Sequence, residues 1–181
     1  MRAFVKKRRV PDCSSCVEVA YLDIDQTKPT FTELATLLLG DAKQAKSFMS
    51  KAKLHSMEEL EDSWWNLYEK LLSTGRAVEL SLKIELEDFL YNVQKLIHNK
   101  NLSTDENLTG DVSIDTSAFD DSQCIGDWCA HFNSTWKNHK LVGMDIGTDS
   151  LVLMVLSNEE FKRAQELAKE LLHRIDVAER L

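Results

Sequence analysis

An α+β fold is what this sequence predicts, with a small, mostly antiparallel sheet and a C-terminal hairpin packed against several helices. Three observations predict it. Apolar residues recur at helical spacing in several separated blocks; strict alternation appears at 77–84; and two apolar runs near the C-terminus are divided by Gly147-Thr148-Asp149. Helices and short strands in irregular order, rather than repeated βαβ units, indicate α+β layers. The length of 181 residues suits a single domain spanning 1–181, and 43% hydrophobic residues suffice for a core that needs neither disulfide nor metal.

Taken in order, "CVEVAYLDI" at 16–24 is rich in β-formers and reads as a first strand. In "KPTFTELATLLLGD", Thr30 or Thr32 can cap a short helix that Gly40 stops. Asp41 can cap the next, through "DAKQAKSFMSKAKLH". Ser56 and Glu59 form a capping box for a helix whose Leu60, Trp64, Leu67, Tyr68 and Leu71 share one face, ended by Gly75. "AVELSLKI" alternates Val78, Leu80, Leu82 and Ile84 as a half-buried strand. A helix follows through Phe89, Val93 and Ile97, opened by Glu85, Glu87 and Asp88, where acids are favoured. An acidic segment at 100–121 interrupts the pattern, and a loop of that length is either mobile or functional. Ser122 is the expected cap of the next helix, in which Trp128 and Trp136 share a core face. Strands "KLVGMDIG" and "SLVLMVLS" join by a tight turn at Thr148-Asp149, with Val142, Met144, Ile146, Leu151, Leu153 and Val155 buried. Ser157 and Glu160 box the last helix, which runs to Ile175.

Thirty acidic against 22 basic residues give a net charge of −8, which argues against nucleic-acid binding and suits a basic protein partner met by electrostatic steering. No apolar run approaches the ~18 residues of a membrane span, and "MRAFVKKRRV" has no apolar h-region, so the expected compartment is cytoplasmic. The sequons at Asn101, Asn107 and Asn133 then carry no meaning, and "KKRR" reads as a solvated basic start.

Two constellations point toward chemistry. Cys13 and Cys16, with Cys124 and Cys129, would give four thiolates for zinc if the ends of the chain met. Against this, a five-residue step along a helix puts Cys124 and Cys129 on different sides, and reduced, partly buried thiols behaving as small hydrophobes are the simpler account. "MDIGTDS" at 144–150 resembles the first phosphate-binding loop of the actin, Hsp70 and sugar-kinase superfamily. That resemblance implies a nucleotide, but it covers one hairpin, and the residues after Ser157 leave no room for the remainder of such a site. His55, His98, His131, His139 and His173 form no ligand pair, and His98, His139 and His173 fall near helix ends, where positive charge is welcome. Of the adjacent Trp64 and Trp65, the first is expected in the core and the second outward, as a candidate anchor for a partner.

The blocks "LLSTGRAVELSLKIELEDFLYNVQKL" and "LVGMDIGTDSLVLMVL" together resemble a bacterial family of unknown function, which implies a small cytosolic α/β protein and supplies no functional residue. Small size, acidity and the lack of a catalytic set are similar in character to toxin-immunity proteins, which bind and block a basic toxin. The expected function is therefore a non-enzymatic protein-binding module, without cofactor or metal, whose partner-binding residues are Asp111, Asp115, Asp120 and Asp121. The alternative is a metal- or nucleotide-dependent enzyme using the cysteine pairs or the Asp145–Asp149 hairpin.

Overall fold

A computed structural model describes residues 24–100 and 114–181. Helix α1 (Ile24–Leu39), α2 (Ala42–Met49) and α3 (Met57–Ser73) come first, then strand β1 (Val78–Ser81) and helix α4 (Leu86–Asn99). After the acidic segment follow α5 (Ile125–Thr135), β2 (His139–Met144), β3 (Ser150–Ser157), α6 (Asn158–Glu170) and β4 (Ile175–Val177). The strands form one sheet in the order β1-β3-β2-β4, every neighbouring pair antiparallel. The α+β expectation holds.

The sheet is buried on both faces, and the near-continuous apolar runs of β2 and β3 are the cause. Successive side chains of a strand point to opposite faces, so an unbroken run needs cover on each. Val142, Met144, Val152, Met154 and Leu156 meet α1, α2, α3 and α6 on one face. Leu141, Leu151, Leu153 and Val155, with Val78 and Leu80, meet α4 and α5 on the other. The register agrees: Val142 pairs with Met154 and Leu141 with Val155, each pair contributing to one layer. Each such side chain buried contributes about 1.5–3 kcal/mol.

Local chemistry sets most boundaries. Asp41 accepts from Lys43 N–H at 2.7 Å and Gln44 N–H at 3.2 Å. Gly40 and Gly75 take left-handed φ of 64° and 67°, which end α1 and α3 without a Cβ clash. Ser56 accepts from Glu59 N–H, while the Glu59 carboxylate reaches one residue further back than the box predicts, to His55 N–H at 2.8 Å. The Ser157–Glu160 box is complete. Buried Asn133 stands in for a strand: its side-chain amide donates to Leu141 O and accepts from Leu141 N–H, both at 2.8 Å. It thereby satisfies the edge of β2 where β4 has not begun.

Several expectations change. Helix α1 starts upstream of Pro29, so Thr30 and Thr32 do not cap it; the Thr32 hydroxyl instead donates to Lys28 O at 2.7 Å. The strand expected at 16–24 lies outside the described residues except for Ile24, which is helical. Helix α2 ends at Met49, short of His55. Strand β1 stops at Ser81, and Leu82 turns into solvent, 55% exposed. Cys124, not Ser122, caps α5, since the helix begins at Ile125 and Ser122 lies upstream in a turn held by Asp120. The β2–β3 connection spans 145–149 rather than a two-residue turn. Helix α6 does not reach Ile175, which opens the edge strand β4. His139 sits at the start of β2, buried, rather than at a helix end.

Candidate functional site

Of the four acidic residues expected to bind a partner, Asp111 lies outside the described residues, and Asp115, Asp120 and Asp121 are exposed. Asp115 and Asp120 hold local turns. The Asp115 carboxylate accepts from the Ser117 hydroxyl at 2.6 Å and its N–H at 3.0 Å, and Asp120 accepts from Ser122 N–H at 2.8 Å. These bonds hold both carboxyls below the ordinary aspartate value. The segment is anchored on the α4–α5 side of the sheet by Ile114 and Phe119, and Trp128 Nε1–H donates to Asp120 O at 3.0 Å. Lys100, the base nearest this segment, is turned inward to Glu160 and Val155 O.

The cysteines part company as their spacing implies. Cys124 is exposed at the start of α5, its thiol 3.1 Å from Asp127 Oδ2, while Cys129 is buried. Burial, then the charge of Glu179, pushes the Cys129 thiol up to about 12, so it stays protonated. Among the described residues no group of three His, Cys, Asp or Glu could hold a metal ion. Cys13 and Cys16 lie outside them.

A different place carries unresolved chemistry. Helix α3, the β2–β3 connection and the α6–β4 corner enclose a cleft of about 330 Å³. Its lining includes His173, whose imidazole lies flat on the Trp64 indole, with centroids 4.1 Å apart and planes within 4°. The stack buries the ring: the His173 side chain is 9% exposed, and its Nε2 has no hydrogen-bond partner. Glu61 Oε1 lies 3.9 Å away, beyond hydrogen-bonding range. Desolvation lowers the His173 pKa against the opposing pull of Glu61 and Asp145, which favours the neutral ring. Larger hollows lie beside Phe48 and beside His55, but neither is lined by an unpartnered buried polar atom.

Asp145 is fixed on three sides. Its N–H donates to Arg174 O at 3.0 Å, its carbonyl accepts Trp64 Nε1–H at 2.8 Å, and its carboxylate accepts Gly147 N–H at 2.9 Å. Gly147 follows with a φ of 70°, a left-handed backbone that glycine adopts without strain. A phosphate-binding loop must offer free N–H groups to an anion. Here the carboxylate occupies that N–H, and Glu61 adds a second negative charge to the cleft. Arg174 does not offset them, because Asp176 and the carbonyl of Arg180 already engage it. The two carboxylates give the described lining of the cleft a negative character.

The rim is apolar. Trp65 is 41% exposed, its ring edge-on to Tyr68 at 5.1 Å, and Leu172 is 52% exposed. Leu172 has a φ of 62°, the only positive φ of a non-glycine residue among those described. It occupies the left-handed position of the turn ending α6, where Leu172 N–H donates to Lys169 O and His173 N–H to Ala168 O. Glycine is the usual occupant of such a position. Leu172→Gly should therefore raise stability by about 0.5 kcal/mol, the ~1–2 kcal/mol of relieved strain being offset by ~0.4–1 kcal/mol of unfolded-chain entropy. Urea unfolding checks this; a loss above 1 kcal/mol would mean that the leucine side chain is held by the fold rather than displayed by it.

The sequence singles out Trp65 as an outward anchor but gives no role to Glu61 or Leu172, and it places His173 near a helix end as a welcome positive charge, whereas burial favours the neutral ring. A signal was present: a Schellman turn ended by leucine is uncommon, but it is visible only once the helix end is known.

Residues 21–178 match the family model of a domain of unknown function, DUF6630. No curated protein and no solved structure matches the chain.

Proposed function

This chain belongs to the DUF6630 family, and we propose that it is a non-enzymatic protein-binding module that meets a basic partner. The cleft at the α3 and α6–β4 corner is the observation that carries the reading. Exposed aromatic and aliphatic side chains beside unneutralised carboxylates are what a recognition surface needs and what a fold does not. The net charge of −8 steers a basic partner toward the surface, and the exposed Asp115, Asp120 and Asp121 add to that field from the other side of the sheet. An immunity-type role in the cytoplasm, neutralising a basic toxin, is the biological form this reading takes. No helix among the described residues is long and apolar enough to cross a membrane.

Two variants test the proposal. Trp65→Ala/Leu172→Ser removes the apolar rim, and Asp115→Asn/Asp120→Asn/Asp121→Asn removes charge while leaving amides able to cap the same turns. Deleting the acidic segment would be a poorer test, since it would unseat Ile114 and Phe119 from the core. The rim variant should lose a partner that the wild-type chain retains from extracts of its source at moderate salt. The charge variant should keep it with a slower association rate and a weaker salt dependence. Retention by both variants with unchanged kinetics would sink the reading.

A further inference from the structure

We propose that the cleft receives an arginine side chain of the basic partner, its guanidinium seated between the Glu61 carboxylate and His173 Nε2 and its flat face against Trp65. The inference rests on the protein-binding reading and specifies what that surface recognises.

The geometry of the two acceptors carries it. Glu61 Oε1 and His173 Nε2 stand 3.9 Å apart, too far to bond each other. The spacing lets one nitrogen bearing two N–H groups bond both at ordinary lengths of about 2.9 Å, and because Nε2 is closed to solvent the cleft must open slightly to admit it. Nε2 is the unsatisfied atom, in a side chain more than nine-tenths buried, and Glu61, 63% exposed, is free to close over a bound donor. A buried ring nitrogen without a partner carries a desolvation penalty that such a donor removes. The proposal needs a neutral imidazole with Nε2 as acceptor, and the burial that lowers the His173 pKa favours that form.

The rest of the lining selects the ligand's shape and charge. Asp145 presents a second carboxylate, and Arg174 is already paired with Asp176, so the cleft has negative charge to spare. Trp65 and Leu172 offer an aromatic and an aliphatic surface at the mouth. A guanidinium is planar, stacks on indole, is more weakly hydrated than an ammonium, and carries its donors in a fork. A lysine would supply the charge without the flat face. A phosphate would meet two carboxylates and an N–H that Asp145 has already taken.

The test uses the full chain and three probes: the N-acetyl amides of arginine, lysine and citrulline, the last being the neutral relative of arginine. Indole and imidazole NMR signals report binding, with Trp65 assigned from Trp65→Phe. The arginine amide should shift the Trp65 and His173 signals saturably, lysine more weakly, and citrulline not at all. Glu61→Gln should weaken the arginine affinity about tenfold, as expected for a lost charge-assisted hydrogen bond. His173→Phe keeps a ring on Trp64 but removes the acceptor, and should weaken binding with little change in melting temperature. Equal response to citrulline, a stronger response to lysine, or no saturable shift overturns the proposal. If the arginine amide does not bind and Glu61→Gln leaves partner capture intact while Trp65→Ala/Leu172→Ser abolishes it, the module stands and the arginine assignment falls. If no variant alters capture, both fall.

Discussion

Glu160→Ala is expected to lower folding stability by about 3.5–4 kcal/mol, because one carboxylate does two jobs. It accepts Ser157 N–H at 2.7 Å, closing the capping box of α6, and it is the ionic partner of Lys100. The Lys100 side chain is only 16% exposed, and its ammonium also donates to Val155 O at 3.0 Å on the central strand. Burial lowers the Lys100 pKa, and the bond to Glu160 opposes that shift. Without Glu160 the ammonium is left buried with a carbonyl alone, a situation that costs about 3–5 kcal/mol where burial is complete. Glu160 is 36% exposed, so water can enter the gap and the lower end applies; the lost cap adds about 0.5–1 kcal/mol. Lys100→Met should cost less, since the remaining carboxylate keeps its backbone bond and its access to water. The double variant should cost clearly less than the sum of the two, with a coupling of about 1–2 kcal/mol. Strict additivity in urea unfolding would show that the pair contributes nothing.

The same pair sets a pH window. Burial tends to raise the Glu160 pKa, but the Lys100 bond and the Ser157 backbone bond outweigh it, and the folded carboxyl lies below its ordinary value. Its stabilising contribution is therefore fully present above the unfolded carboxylate value and is lost as pH falls through the folded one. Glu160→Ala should flatten that part of the stability profile.

How much of this was legible in the sequence depends on the range over which each feature is specified. The caps at Asp41, Ser56 and Ser157 and the stops at Gly40 and Gly75 are chemistry within a few residues, and they could be read directly. Strand β4 could not. Leu167, Leu171 and Ile175 keep helical spacing straight through the corner, and the turn that breaks the helix uses Leu172 where a glycine would have announced it. The apolar runs at 141–144 and 151–156 spoke for strands, but whether one or both faces were covered depended on helices far away in the chain. The cleft was least legible for the same reason. The Trp64–Asp145 bond that closes its floor joins residues 81 positions apart, and the Asp145–Arg174 bond ties in a third segment. Acidity was visible in composition; which carboxylates stand free of a cation is a matter of assembly.

Trp64 and Trp65 are adjacent in sequence and should respond in opposite ways. Trp64→Ala is expected to cost about 3–5 kcal/mol, the range for a fully buried large aromatic. Trp64 is 2% exposed, lies under the His173 ring and gives its indole N–H to Asp145 O at 2.8 Å, so its loss removes core volume and the floor of the cleft together. Trp64→Phe separates the two effects: the ring stack survives while the Asp145 carbonyl loses its donor, for about 1–2 kcal/mol. Trp65→Ala should change stability by under about 1 kcal/mol, because the residue is 41% exposed and its ring meets the edge of Tyr68. That small structural effect is what makes it informative. A side chain that contributes little to folding and exposes an indole at the mouth of a cleft is the one whose removal tests the proposed contact without disturbing the fold. Urea unfolding of the three variants, with near-ultraviolet circular dichroism to follow the Trp64 environment, gives the comparison. If Trp65→Ala unfolds the chain as readily as Trp64→Ala does, the outer indole belongs to the core, and the cleft loses its reason to be a binding surface.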